Sequence, residues 1–341
     1  MSSSPILKSI SEKEAGVPPR IPSWAGHLLK FAVGGAAIWA LIGTGALEPR
    51  LLGQAALRHP WLCLAALGVY AATVLLTSWL RWWLLMRLAG LSVGAGRALS
   101  LQMIGLFFNS IIPGGTGGDL VKGYYLFREH GEGTRSLALT SIAMDRFAGL
   151  YGLLCVAMIM LGLNWELWRE SHALRLNSLF YACVFLAFTA TIAFFFSPWS
   201  RLFLEHPSLH RMPGGKFLKS FSDSLLVYRR RPLGLLLAVG LTMVVDLGLI
   251  VMYWLFALSL GMDLPFLSHG FVVPTLTMVN GIPISPAGLG VGEAAGEMLY
   301  GTLGVQGGSE VLALVHICIL LASLAGAPVY LAYRSRERAG F

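Results

Sequence analysis

The chain has 341 residues, of which 56% are hydrophobic and only 12% charged, and its mean hydropathy is +0.69. Soluble domains carry about 25% charged residues, so a water-soluble globular fold is excluded; the length accommodates about seven or eight membrane passes and no large soluble domain. The formal charge of +8 does not indicate nucleic acid either, because the bases sit in short loops between apolar runs and no recognition module accompanies them.

The first apolar run begins near Leu28, so residues 1–23, with Ser, Pro and mixed charge, are expected to form a disordered cytoplasmic tail. Leu28–Leu47 reads as a first span and Trp61–Leu80 as a second. Trp79, Trp82 and Trp83 follow beside Arg81 and Arg87, the composition of an interfacial edge. Ala98–Ile112 is short for a crossing and runs into Asn109–Tyr125, NSIIPGGTGGDLVKGYY. Pro113 interrupts a helix, and Gly114, Gly115, Gly117 and Gly118 leave backbone open, which hydrocarbon tolerates only inside protein or along a polar cavity. Ser136–Leu163 is a long helix carrying Asp145 and Arg146, and Asn177–Phe196 is another span. Pro232 is placed to start a helix through Leu233–Leu260, with Asp246 near its middle. Phe266–Ile282 then enters a second broken stretch, Asn280–Glu293, NGIPISPAGLGVGE, with Pro283, Pro286, Gly288 and Gly290. Val311–Tyr333 is the final span, before the basic tail 334–341. A single transmembrane domain, residues 24–333, is expected between the two tails.

Loop charge sets the topology. Ser197–Pro232 carries seven bases, from Arg201 to Arg231, against Glu205 and Asp223, and is expected to be cytoplasmic. The N-terminus, the loops Arg81–Arg97 and Arg128–Arg135 and the C-terminal tail also lean basic. These assignments agree if Ala98–Phe127 is a hairpin entering and leaving on the inside and Phe266–Leu303 one entering from outside. The expected fold is an all-α polytopic membrane protein of about six full spans and two re-entrant helical hairpins, an inverted pseudo-repeat, where conventional counting gives 7–8 crossings. Both termini are then cytoplasmic.

Asp119 and Lys122, three apart, share a helix side. They form an interfacial ion pair at a helix start or, with the N–H groups of GGTGG, a site for a phosphate headgroup. Asp145 and Arg146 stand inside a span; Arg146 pairs with Asp119 or Glu293, or its planar fork reaches a lipid phosphate. Glu293 either cycles a proton, meets a cationic headgroup or caps its own helix, and Glu297 lies on the same face. No GK[ST] follows the first glycines, GLGVG lacks a βαβ context, and the histidines show no HExxH spacing. Cys63, Cys155, Cys183 and Cys318 lie in apolar runs without CxxC spacing. No catalytic residue, metal site or cofactor is expected.

The order Pro113-Gly-Gly, Gly118-Asp119, Lys122, Asp145-Arg146 and then Pro283–Glu293 (PISPAGLGVGE) resembles the flippase-like transmembrane region of lysylphosphatidylglycerol synthases, over nearly the whole chain. The family often has Arg where this chain has Lys122 and Glu where it has Asp145. The resemblance implies translocation of a lipid across the cytoplasmic membrane along the two broken segments. It also implies no synthesis of lysylphosphatidylglycerol, since the soluble aminoacyl-transfer domain is missing here. On this reading Asn109 and Asn280 offer hydrogen bonds, Lys122 and Arg146 attract phosphate, and Asp119 and Glu293 balance charge. The expected partners are membrane lipids and, as candidates, lipid-biosynthesis enzymes. A transferase acting on a lipid-linked substrate and an accessory subunit of a lipid-synthesis (for example hopanoid) complex are the alternatives.

Overall fold

The structure, a computed structural model, describes residues 35–36, 38–39, 42–43, 47–111, 117–130, 135–166, 172–200, 226–282, 284–285 and 288–338. All its regular elements are helices: α1 (Pro49–Arg58), α2 (Pro60–Leu88), α3 (Ala95–Ile111), α4 (Gly117–His130), α5 (Arg135–Leu163), α6 (His172–Phe196), α7 (Pro232–Ser259), α8 (Phe266–Gly281), α9 (Val291–Gly301), α10 (Gly308–Leu324) and α11 (Gly326–Arg338). Among the described residues, α2, α5, α6, α7 and the continuous α10–α11 run Gly308–Tyr333 are long and apolar enough to cross a membrane. They coincide with five of the six spans expected from the sequence. Much of the sixth, Leu28–Leu47, lies outside the described residues, as do the tail 1–23 and most of the basic loop 197–232.

Three helices open on proline, Pro49, Pro60 and Pro232, where a missing N–H costs nothing. The middle of α2, Tyr70–Thr77, winds as a π-helix, and Thr77 Oγ1 donates to Ala72 O five residues back at 3.3 Å. Such wide turns re-aim the side chains that follow them. Here Arg81 and Trp82 turn into the protein, 9% and 0% exposed. Their reading as part of an interfacial belt is therefore corrected, while Trp79 and Trp83 stay at the rim and donate to Ala95 O and Val93 O, both at 3.0 Å. The central helix is α7, packed on α2, α5, α8 and α10, with Ile250, Met252, Val272, Leu276, Val311 and Leu312 at the heart of the core.

α3 and α4, of 17 and 14 residues, are short for a hydrocarbon layer of about 30 Å at 1.5 Å rise per residue. They fold back on each other: Asn109 lies beside Gly118, and Gly105 and Gln102 lie beside Lys122. α8 and α9 pair likewise, with Asn280 beside Gly292 and His269 beside Tyr300. The long helices alternate in direction, so α3–α4 begins and ends at the face where α2 ends, and α8–α9 at the opposite face.

In lipid, helices associate by close packing, because the surrounding tails are as apolar as the side chains. The first hairpin depends on this: a Cβ added to Gly118 would sit 1.9 Å from Gly105 O. Gly118→Ala is expected to destabilise the protein by about 3 kcal/mol through forced backbone separation. Gly96→Ala, on the same hairpin where nothing lies within 4 Å, is expected to be neutral or stabilising by up to about 1 kcal/mol. Unfolding midpoints of the two variants in detergent check this.

Candidate functional site

The break between α3 and α4 collects charge. Asn109 Oδ1 accepts the Gly118 N–H at 2.7 Å, holding the start of α4 against the end of α3. Asp119, in the first turn of α4, pairs through Oδ1 with Lys122 Nζ at 3.0 Å and through Oδ2 with the Arg146 guanidinium of α5. Arg146 thus takes one of the two partners expected for it. Lys122 is 4% exposed; its ammonium also donates to Gln102 Oε1 at 3.1 Å and lies 4.7 Å from the Trp82 ring centroid. Its stem crosses Gly105, where any Cβ would collide with it. Arg146 is the exposed member, with 53% of its side chain accessible. Two cations of different accessibility therefore share one carboxylate.

Asp145 faces the other way. Its Oδ1 binds Arg81 Nε at 2.7 Å, and Arg81 Nη1 donates to Thr242 Oγ1 at 2.9 Å. One turn along α7 from Thr242, Asp246 is buried, and its Oδ2 has no hydrogen-bond partner among the described residues. The sequence marked Asp145 but not Arg81, whose role appears only once the π-helix has turned it inward. On the far side of α5, Phe147 and Tyr151 line an apolar cavity of about 350 Å3 together with Phe195, Tyr228 and Leu236.

At the second break, Gly288 and Gly290 take φ of +83° and +80°, a left-handed turn that β-carbons disfavour. Glu293, at the third position of α9, folds back so that Oε2 accepts the Gly290 N–H at 2.6 Å. This is the helix-capping geometry weighed for it from sequence. Its other oxygen, Oε1, lies 2.7 Å from His316 Nδ1 on α10, both side chains 3% exposed. Asn280 Oδ1 is buried against Gly288 and Gly292 without a partner among the described residues. His316 was missed because no spacing motif contains it; the available signal was a lone histidine inside the apolar run Val311–Tyr333. Of the sequence-derived candidates, Pro113, Gly114, Gly115, Pro283 and Pro286 lie outside the described residues, and Gly117 begins α4.

Each break thus joins an asparagine, a glycine-led helix start and an acid in its first turn paired to a basic side chain from a neighbouring helix. The sets differ in exposure: Arg146 opens the first to its surroundings, whereas Glu293 and His316 are sealed. A family model described as "Lysylphosphatidylglycerol synthase TM region" matches residues 27–336. No curated protein and no solved structure matches.

Proposed function

Since the chain belongs to the family of the lysylphosphatidylglycerol synthase TM region, a family whose description places it in membrane-lipid chemistry, we propose that this multi-pass membrane protein carries an amphipathic lipid with an anionic headgroup across the cytoplasmic membrane. The observation that carries the reading is the Asp119–Lys122–Arg146 group, in which two cations share one carboxylate and one cation is half-exposed. A phosphodiester replaces Asp119 on Arg146 at little electrostatic cost, because the planar guanidinium accepts either anion in the same geometry. Asp119 meanwhile keeps Lys122, so neither partner is left buried and bare. The cytoplasmic termini expected from loop charge and the prokaryotic inner membrane that the family resemblance implies complete the picture.

The test is exchange of fluorescent (NBD-labelled) phosphatidylglycerol between leaflets of phosphatidylethanolamine/phosphatidylglycerol proteoliposomes, read by dithionite quenching. The protein is expected to raise the exchange rate above that of empty vesicles. Arg146→Gln is expected to lower it roughly tenfold to a hundredfold, the equivalent of about 1.5–3 kcal/mol for one hydrogen bond to a charged group. Exchange no faster than in empty vesicles refutes the reading, and a change in lipid mass during the assay replaces it with a lipid-modifying transferase.

A further inference from the structure

α9 and α10 carry a line of acidic and hydroxyl groups that the headgroup site does not use. Glu310, in the first turn of α10, is 3% exposed and accepts the Glu48 N–H at 2.8 Å. The Ser309 hydroxyl lies 2.8 Å from Glu310 Oε2 and 3.2 Å from Glu297 Oε2, and the Ser309 N–H donates to the same Glu297 oxygen at 3.1 Å. One helical turn further along α9, Glu293 meets His316. α9 runs antiparallel to α10, with Gly296 against Gly308 and Gly292 against His316. Glu310, Ser309, Glu297, Glu293 and His316 therefore string from the turn at 302–307 to the break between α8 and α9.

Hydrogen-bond stoichiometry distinguishes this line from a static network. A hydroxyl has one proton to give, yet Ser309 Oγ faces two carboxyl oxygens, at 2.8 and 3.2 Å, so it can turn that proton toward either of them. At the other end, His316 is 97% buried and its Nε2 has no partner among the described residues, so in either tautomer it holds an unmatched lone pair or an unmatched proton. Tyr300 Oη and His269 Nε2, fully buried beside the line with ring centroids 5.7 Å apart, are also without partners among the described residues. The other titratable groups around the line are Tyr253 of α7, Cys318 of α10, and Cys63 and Tyr70 of α2, while Glu48 and Arg50 near the start of α1 are exposed. No Lys or Arg among the described residues forms an ion pair with Glu293, Glu297 or Glu310.

We propose that this line is a proton path from the face bearing the α9–α10 turn to the Glu293–His316 pair, and that protons passing along it drive the lipid step. A proton taken up at Glu310 passes through the Ser309 hydroxyl to Glu297 and then to the Glu293–His316 pair, where the unpartnered His316 Nε2 is the nitrogen that hands it on, and only O–H and N–H bonds form and break. The proposal rests on the lipid-translocation reading above.

The test uses the same proteoliposomes with an imposed pH gradient of about one unit, which at one proton per lipid sustains up to about a tenfold leaflet asymmetry of the labelled phosphatidylglycerol. Wild-type protein is expected to build that asymmetry, and trapped pyranine to report proton flux that is larger in these vesicles than in matched vesicles with phosphatidylcholine in place of phosphatidylglycerol. Glu297→Gln and Ser309→Ala are expected to keep downhill exchange at the wild-type rate and to lose the gradient-driven asymmetry. A wild-type protein that exchanges lipid but ignores the gradient overturns the proton path and leaves the translocation reading standing. A protein that exchanges no lipid overturns both. Should either variant fail gel filtration in detergent, the pyranine signal of the wild type decides alone: flux independent of lipid overturns the path.

Discussion

Arg81→Met is expected to destabilise the protein by about 3–5 kcal/mol, because it leaves Asp145 buried without its partner. The loss reaches further than one pair. Arg81 also binds Thr242, and Asp246 lies one turn along α7, so the guanidinium is the cation around which two buried acids are gathered. Removing the charge from both ends should be much milder. Arg81→Met combined with Asp145→Leu is expected to recover most of the lost stability, since replacing a buried pair by apolar groups of similar volume is often neutral or better. Asp145→Asn alone is expected to fall between, because Arg81 keeps Thr242. Chemical unfolding in mixed micelles ranks the three variants. Equal losses for the single Arg81 change and the double change would show that packing, not the buried charge, sets the stability there.

The second large effect lies at the first hairpin, and there the obvious substitution misleads. Asp119→Ala removes the carboxylate between Lys122 and Arg146, leaving the Lys122 ammonium buried, among the described residues, with Gln102 and the Trp82 face. That uncompensated charge costs about 3–5 kcal/mol, so loss of lipid movement in this variant would reflect misfolding. Asp119→Ala combined with Lys122→Met removes both charges and lays an apolar stem over Gly105. It is expected to fold, and it retains Arg146 without the acid that competes with the headgroup. Phosphatidylglycerol should then bind roughly tenfold to a hundredfold more tightly, for a competing charged hydrogen bond of about 1.5–3 kcal/mol. Leaflet exchange should slow by a comparable factor, because release now lacks its replacement anion. Binding followed by energy transfer from tryptophan to NBD-labelled phosphatidylglycerol, beside exchange in vesicles, separates the two. Weaker binding with faster exchange would contradict the assignment of Asp119 as the anion that displaces the headgroup.

The legible parts of the fold were those governed by composition and by spacing along one helix. Apolar run length placed α2, α5, α6, α7 and α10–α11, and loop charge with chain parity required α3–α4 and α8–α9 to turn back. The Asp119–Lys122 contact followed from a three-residue spacing. Tertiary partners were less legible. Arg81 sits among tryptophans and beside Arg87, which is how an interfacial arginine reads; only the π-helical turn ahead of it, set by packing, aims it at Asp145. Gln102 and His316 each have apolar neighbours on both sides in the sequence, and nothing local says which acid or amine they meet. Spacing left Lys122 as either the ion-pair partner of Asp119 or a headgroup cation, and nothing local showed that Gly105 opens a slot that draws the side chain inward.

All of this depends on α3–α4 and α8–α9 dipping into the bilayer from opposite faces. The direct measurement is labelling of single cysteines by a membrane-impermeant maleimide in intact cells and in inverted vesicles, with the four native cysteines replaced. Ser92→Cys before α3 and Arg128→Cys near the end of α4, both exposed, are expected to label from the same side, and Gln306→Cys in the α9–α10 turn from the other. Labelling of positions 92 and 128 from opposite sides would mean that this segment crosses the membrane once, and the charged seam with its lipid path would not exist.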